Sequence, residues 1–167
     1  MDAYEAVIEA LSEYRYRIHH GDEAAYDHLK DDGLTIEVIN ENKGDEMLIE
    51  FNGGEVSLFF GDNHDHFDPH YDDEIYWLID LLEDLLENRK CVCSLYGYEG
   101  EGREKILATG FIRKRELQEK SLDEIFEYVY RIADYKKMID EKGGKVTVKF
   151  WDAGLNYEKD IGKKQFS

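Results

Sequence analysis

Three short runs of alternating apolar residues constrain the fold of this chain more than any other feature. Leu34, Ile36 and Val38 form the first, Met47, Ile49 and Phe51 the second, and Val56, Leu58 and Phe60 the third. A period of two puts each set on one face of a strand. Asn42-Lys43-Gly44 and Asn52-Gly53-Gly54 separate the runs and tolerate the positive φ of tight hairpins. The spacing predicts an antiparallel meander. Around it, Tyr4, Val7, Leu11, Tyr14 and Ile18 predict an amphipathic helix over 3–19, stopped at Gly21, with 22–32 a polar loop or short helical turn. Ile75, Leu78, Ile79, Leu82, Leu85 and Leu86 form the apolar stripe of a second helix over 72–88. Strands follow at 90–96 and 104–112. Ser121-Leu122-Asp123-Glu124 reads as a capping box opening a third helix, which Gly143-Gly144 ends before a last strand holding Val146, Val148 and Phe150. The order is α-βββ-α-ββ-α-β. With no βαβ alternation, this predicts α+β architecture: a single domain over residues 1–167, with an antiparallel or mixed sheet of about six strands and three main helices.

Charge is distributed very unevenly along this frame. The chain has 39 acidic and 21 basic residues, a net charge of −18. Residues 44–88 hold fourteen Asp or Glu and no Lys or Arg, while 89–167 hold fourteen acids and seventeen bases. Such a balance repels phosphate, so neither nucleic acid nor an anionic membrane is an expected partner. A basic protein is. With 42% hydrophobic residues in periodic array, the chain is not expected to be disordered. Met1-Asp2-Ala3-Tyr4-Glu5 has no basic or apolar leader pattern, and no apolar run approaches the ~20 residues of a membrane span. A cytoplasmic location is the expectation.

On the second helix, Asp80, Glu83, Asp84 and Glu87 fall at i, i+3, i+4 and i+7, an acidic stripe facing away from the leucines. Like charges at this spacing destabilise a helix, as do anions near its C-terminus. A sequence that breaks a local rule in this way often does so at a functional surface. Tyr76 and Trp77 share the outward half, and Asp72, Asp73 and Glu74 open the helix. These nine residues are the candidate partner-binding set; a merely solvated helix face is the competing reading. The string from Gly61 to Glu74 alternates Asp62, His64, His66, Asp68, His70 and Asp72. Imidazole and carboxylate are metal-ligand types, which makes His64, His66 and Asp68 candidate ligands. However, an extended chain rises about 3.3 Å per residue, so few of the six can reach one ion. A strand end and helix entry with His–acid pairing is the plainer reading.

Other motifs carry no chemistry. Cys91 and Cys93 sit in an apolar strand, as reduced core thiols would. Gly97-Tyr98-Glu99-Gly100-Glu101-Gly102 lacks the Gly-Lys-Ser/Thr ending of a phosphate loop and reads as a hairpin turn. Arg113-Lys114-Arg115 is too short for a nucleic-acid footprint. No catalytic constellation is present, and no cofactor is indicated.

From Val56 to Phe111 the chain runs strand, His64-x-His66-Phe67, acidic helix, then Asn88-Arg89-Lys90 into a hairpin with a Gly-bearing loop. This third of the sequence resembles small acidic immunity proteins of bacterial polymorphic-toxin and contact-dependent inhibition systems. The resemblance implies a cytoplasmic, non-enzymatic protein that binds and blocks one toxin domain. Three alternatives stay open: a metal-binding module or metal-dependent enzyme using His64, His66 and Asp68; a nucleic-acid-mimicking regulator of a basic host protein; and a scaffold subunit with a solvated acidic face.

Overall fold

A computed structural model describes residues 2–100 and 102–162. Contacts gather into two compact units, Met1–Glu87 and Asn88–Ser167. The first contains helix α1 (Ala3–Ala10), strands β1 (Tyr16–His20), β2 (Leu34–Val38), β3 (Met47–Asn52), β4 (Glu55–Phe60) and β5 (Asn63–Phe67), and helix α2 (Asp72–Leu86). The second contains β6 (Lys90–Gly100), β7 (Arg103–Arg113), α3 (Lys114–Glu119), α4 (Leu122–Ile125), α5 (Ile132–Lys142), β8 (Gly144–Lys149) and β9 (Tyr157–Ile161).

The first unit is the expected meander, extended by a strand at each edge. Its sheet runs β1-β2-β3-β4-β5, antiparallel throughout. Register lines up apolar residues in rows. Ile18 faces Ile36, which faces Ile49, which faces Leu58; Val38 faces Met47, which faces Phe60. Gly53 and Gly54, at φ 62° and 81°, close the β3–β4 hairpin between Asn52 and Glu55. The rows and the two helices bury Val7, Leu11, Ile36, Ile49, Leu58, Leu78, Leu82 and Leu85 completely. Each such aliphatic side chain contributes about 1.5–3 kcal/mol of burial. The Asp2 carboxylate caps α1 by accepting the Tyr4 N–H at 3.0 Å. The Tyr4 ring meets Phe51 edge-on at 5.8 Å, tying α1 to β3.

The second unit has its own antiparallel sheet, ordered β7-β6-β8-β9. Cys91, Cys93 and Leu95 of β6 and Val146 and Val148 of β8 form one core with Ile125 and Phe126 near α4 and Ile139 of α5. Ser121 and Glu124 form the expected capping box. The β6–β7 hairpin pairs out to Gly100 and Arg103, and Glu101 lies outside the described residues.

The expectation of α+β architecture holds, while three finer points are corrected. A single sheet of about six strands is instead two sheets, of five and four strands. After β5 the chain enters α2, and β6 then pairs with β7 and β8 rather than with the meander. The helix expected over 3–19 stops at Ala10. Leu11 to Tyr14 turn, and β1 pairs with β2. The helix expected from Ser121 is two, α4 and α5, separated by turns across 126–131, and α3 precedes it where no helix was expected. Among the described residues no helix is long and apolar enough to cross a membrane.

Candidate functional site

The boundary between the units nearly coincides with the charge boundary. Residues 1–87 carry twenty-five acids and four bases, a net of −21; residues 88–167 carry fourteen and seventeen, a net of +3. All six histidines, at 19, 20, 28, 64, 66 and 70, lie in the acidic unit.

Helix α2 divides the candidate residues among several faces. Its buried face is Leu78, Leu81, Leu82, Leu85 and Leu86, whereas Ile75 and Ile79 are only half-buried. The core face is therefore rotated from the expected stripe by the inclusion of Leu81. At about 100° per residue, Ile75 and Ile79 fall on one flank of the helix with Asp72, Tyr76, Asp80 and Glu83. That flank, with Ala6, Glu9, Ala10 and Ser12 on or just after α1, lines an open groove of about 770 Å³. Asp73, Trp77 and Asp84 turn toward the opposite flank. Tyr76 is 72% exposed and Trp77 59%, large values for such rings. Glu74 faces the other way altogether: its carboxylate accepts the Asp68 N–H at the helix entry. Glu87 is the C-cap of α2. The structure thus brings Asp72, Tyr76, Asp80 and Glu83 together, and separates them from Glu74.

The groove's apolar floor is Ala6, Ala10, Ile75 and Ile79, and its rim is Glu9, Asp72, Asp80 and Glu83. Among the described residues no Lys or Arg lines it. Among the described residues, no hydrogen bond or ion pair engages the side chains of Glu9, Asp72, Asp80 or Glu83. Glu9, Ala6 and Ala10 were not legible as site residues, because nothing in the sequence says which face of α1 meets α2. The small residues at i and i+4 are the signal that could have marked the opening.

The outer face of the first sheet is organised by imidazoles. His19 Nδ1 lies 2.8 Å from Glu23 and its Nε2 2.8 Å from Glu37. Its ring stacks on Tyr26 at 4.4 Å. Hydrogen bonding to Glu37 is the main cause that raises its pKa above 6.5, with burial opposing. His28 meets Glu50 at 2.8 Å, and His66 Nδ1 lies 2.7 Å from Ser57 Oγ and 2.8 Å from Glu55.

The candidate metal ligands fit the same pattern of pairing. The His64 and His66 rings stand 4.8 Å apart, edge to face, on strand β5, and His64 stacks on Phe59. Asp68 is turned to His70, accepting its backbone N–H at 2.9 Å and meeting its ring at 2.8 Å. Those bonds, the backbone one first, hold Asp68 below the usual carboxylate value. Among the described residues no group of three or more His, Cys, Asp or Glu gathers as a metal requires. Cys91 and Cys93 are buried free thiols, and burial pushes both up to about 12. A thiol so protonated is a poor nucleophile.

Compared with known protein families, curated proteins and solved structures, the chain matches none.

Proposed function

We infer that this is a non-enzymatic binding protein whose acidic unit occupies a basic cleft on a partner, and that it serves as an immunity protein against a bacterial toxin, most simply a nuclease. The observation that supports this is the segregation of charge: −21 in residues 1–87 against +3 in the rest. Nuclease channels are positively charged because they hold phosphates. Carboxylates presented in that channel take the place of phosphate and block it without chemistry. Complementary charge also speeds association, toward 10⁸–10⁹ M⁻¹s⁻¹ at low salt. A cell that makes its own toxin in the cytoplasm depends on that speed. The exposed Tyr76 and Trp77 supply the aromatic anchors that concentrate binding energy at interfaces.

The test is co-expression with the C-terminal domain encoded by the adjacent gene, followed by affinity measurement across salt. Wild type is expected to bind, with affinity falling as salt rises. Changing Asp80, Glu83, Asp84 and Glu87 to Asn or Gln is expected to weaken binding at least about tenfold and flatten the salt slope. Unchanged affinity in that variant would exclude this helix as the docking face. Failure to bind or protect against any neighbouring gene product would exclude the immunity role.

A further inference from the structure

Resting on the basic-partner reading above, we propose that the groove between α1 and α2 seats a cationic segment of the partner protein. Arg or Lys stems lie on Ala6, Ala10, Ile75 and Ile79, and the charged heads sit among Glu9, Asp80 and Glu83.

The groove has two chemistries at two depths. Ile75 and Ile79 are half-buried, so the fold leaves aliphatic surface uncovered at the floor. Carboxylates ring it from both helices, Glu9 from α1 and Asp72, Asp80 and Glu83 from α2. A purely apolar ligand would cover the floor but strip water from the rim. A small inorganic cation would suit the rim but leave the floor bare, and these carboxylates are not gathered as metal ligands. Arg and Lys satisfy both, because they bury a methylene stem while the head stays polar. The volume of about 770 Å³ exceeds the needs of a single side chain. It falls within the ~300–1,000 Å³ typical of occupied ligand clefts. The exposed Tyr76 ring on the groove wall offers a cation–π contact to the same heads.

The energetics favour occupation by a cation over vacancy. Four carboxylates, with no cation lining the groove among the described residues, raise the local negative potential, and a low-dielectric floor beneath them focuses it. Small residues matter as much as acids. Ala6 and Ala10 stand one turn apart on α1, and any longer side chain at Ala10 would project into the opening.

The experiment uses the full chain and two fluorescent synthetic peptides of equal composition, at about 0.15 M NaCl, where long-range attraction is largely screened. One is an amphipathic helix with Leu and Arg on adjoining faces; the other has the same residues scattered. Three variants are compared with wild type by fluorescence anisotropy, with circular dichroism to verify folding. Ala10→Arg fills the groove with an internal guanidinium. Asp80→Asn with Glu83→Gln removes rim charge without adding bulk. Glu13→Gln, exposed and outside the groove, matches the net-charge change of Ala10→Arg. The proposal expects wild type to prefer the amphipathic peptide. It further expects Ala10→Arg and the rim variant each to lose tenfold or more, and Glu13→Gln to lose less than twofold. Should Ala10→Arg unfold, the rim variant carries the comparison. Equal losses in all variants, or equal binding of the two peptides, overturn the groove and leave the acidic-surface reading standing. No binding of either peptide by wild type also overturns the groove, whereas the basic-partner reading stands or falls on the neighbouring gene product.

Discussion

His19 illustrates how a unit with so few Lys and Arg manages its carboxylates. A neutral imidazole has one N–H and can donate to one carboxylate only; the imidazolium donates to both. With Glu23 on one nitrogen and Glu37 on the other, each at 2.8 Å, the geometry of His19 is that of the cation. Its side chain is only 16% exposed, so water competes weakly. Together with His28 on Glu50 and the Lys30 N–H donating to Asn52, it holds the loop between β1 and β2 against the sheet. The sign of the pH dependence follows from the raised pKa. Stabilisation by His19 is fully present below its unfolded value of 6.5 and is lost as pH rises through the higher folded value. Wild type is therefore expected to exceed His19→Gln by about 1–2 kcal/mol in urea denaturation near pH 6, a gap that shrinks by pH 9. A gap of equal size at both pH values would mean that the interaction does not depend on the imidazolium.

At the scale of elements, α2 trades stability for surface. Asp72, Asp73 and Glu74 in its first turn suit the positive end of the helix dipole, but its last turn has no basic residue. Glu83 stands one turn before Glu87 and three residues after Asp80. Glu83→Lys converts both repulsions to attractions and improves the dipole, so it is expected to stabilise the protein by about 0.5–1 kcal/mol in chemical denaturation. The same change places a cation in the groove and should weaken binding of a basic partner. A destabilised Glu83→Lys variant would show that Glu83 has a structural role instead. How legible each element was depends on where its stabilisation comes from. The β2–β4 meander and α2 were readable because local periodicity and turn residues agree with the tertiary fold. Residues 16–18 were not, because Tyr14 and Ile18 are also at helical spacing. Only the distant register of Ile18 against Ile36 decides for a strand. The single helix expected after Ser121 breaks at Phe126, Tyr128, Val129 and Tyr130, where aromatic and β-branched residues weaken helix propensity. Strand β9, Tyr157–Ile161, is almost wholly exposed at a sheet edge and therefore carries no hydrophobic alternation to detect. Of the candidate site, the acids and aromatics of α2 were visible from spacing. The α1 wall of the groove was not, since Ala6 and Ala10 at i and i+4 mark an opening only once the pairing of α1 with α2 is known.

At the scale of the whole molecule, the concentration of charge is expected to make salt act in opposite directions on folding and on the proposed binding. Twenty-five carboxylates and four Lys or Arg share a unit of eighty-seven residues, so compaction of that unit works against self-repulsion. Repulsion between exposed groups is screened by counter-ions beyond a Debye length, which falls to about 10 Å at 0.1 M salt and shortens further above it. Raising NaCl from about 0.02 M to about 0.5 M should therefore raise the melting temperature. If screening recovers ~1–2 kcal/mol, a chain of this size gains a few degrees, on the scale of ~2–4 °C per kcal/mol. The same increase in salt should weaken the proposed docking on a basic cleft, because the attraction there is screened as well. A melting scan and a binding titration over one salt series distinguish this account from an evenly solvated acidic coat. The coat predicts the stabilising half of the result, but no salt-sensitive association with a basic protein. A melting temperature that fell with NaCl would imply that ion pairs outweigh repulsion in the acidic unit, and the carboxylates would then be neutralised and not presented.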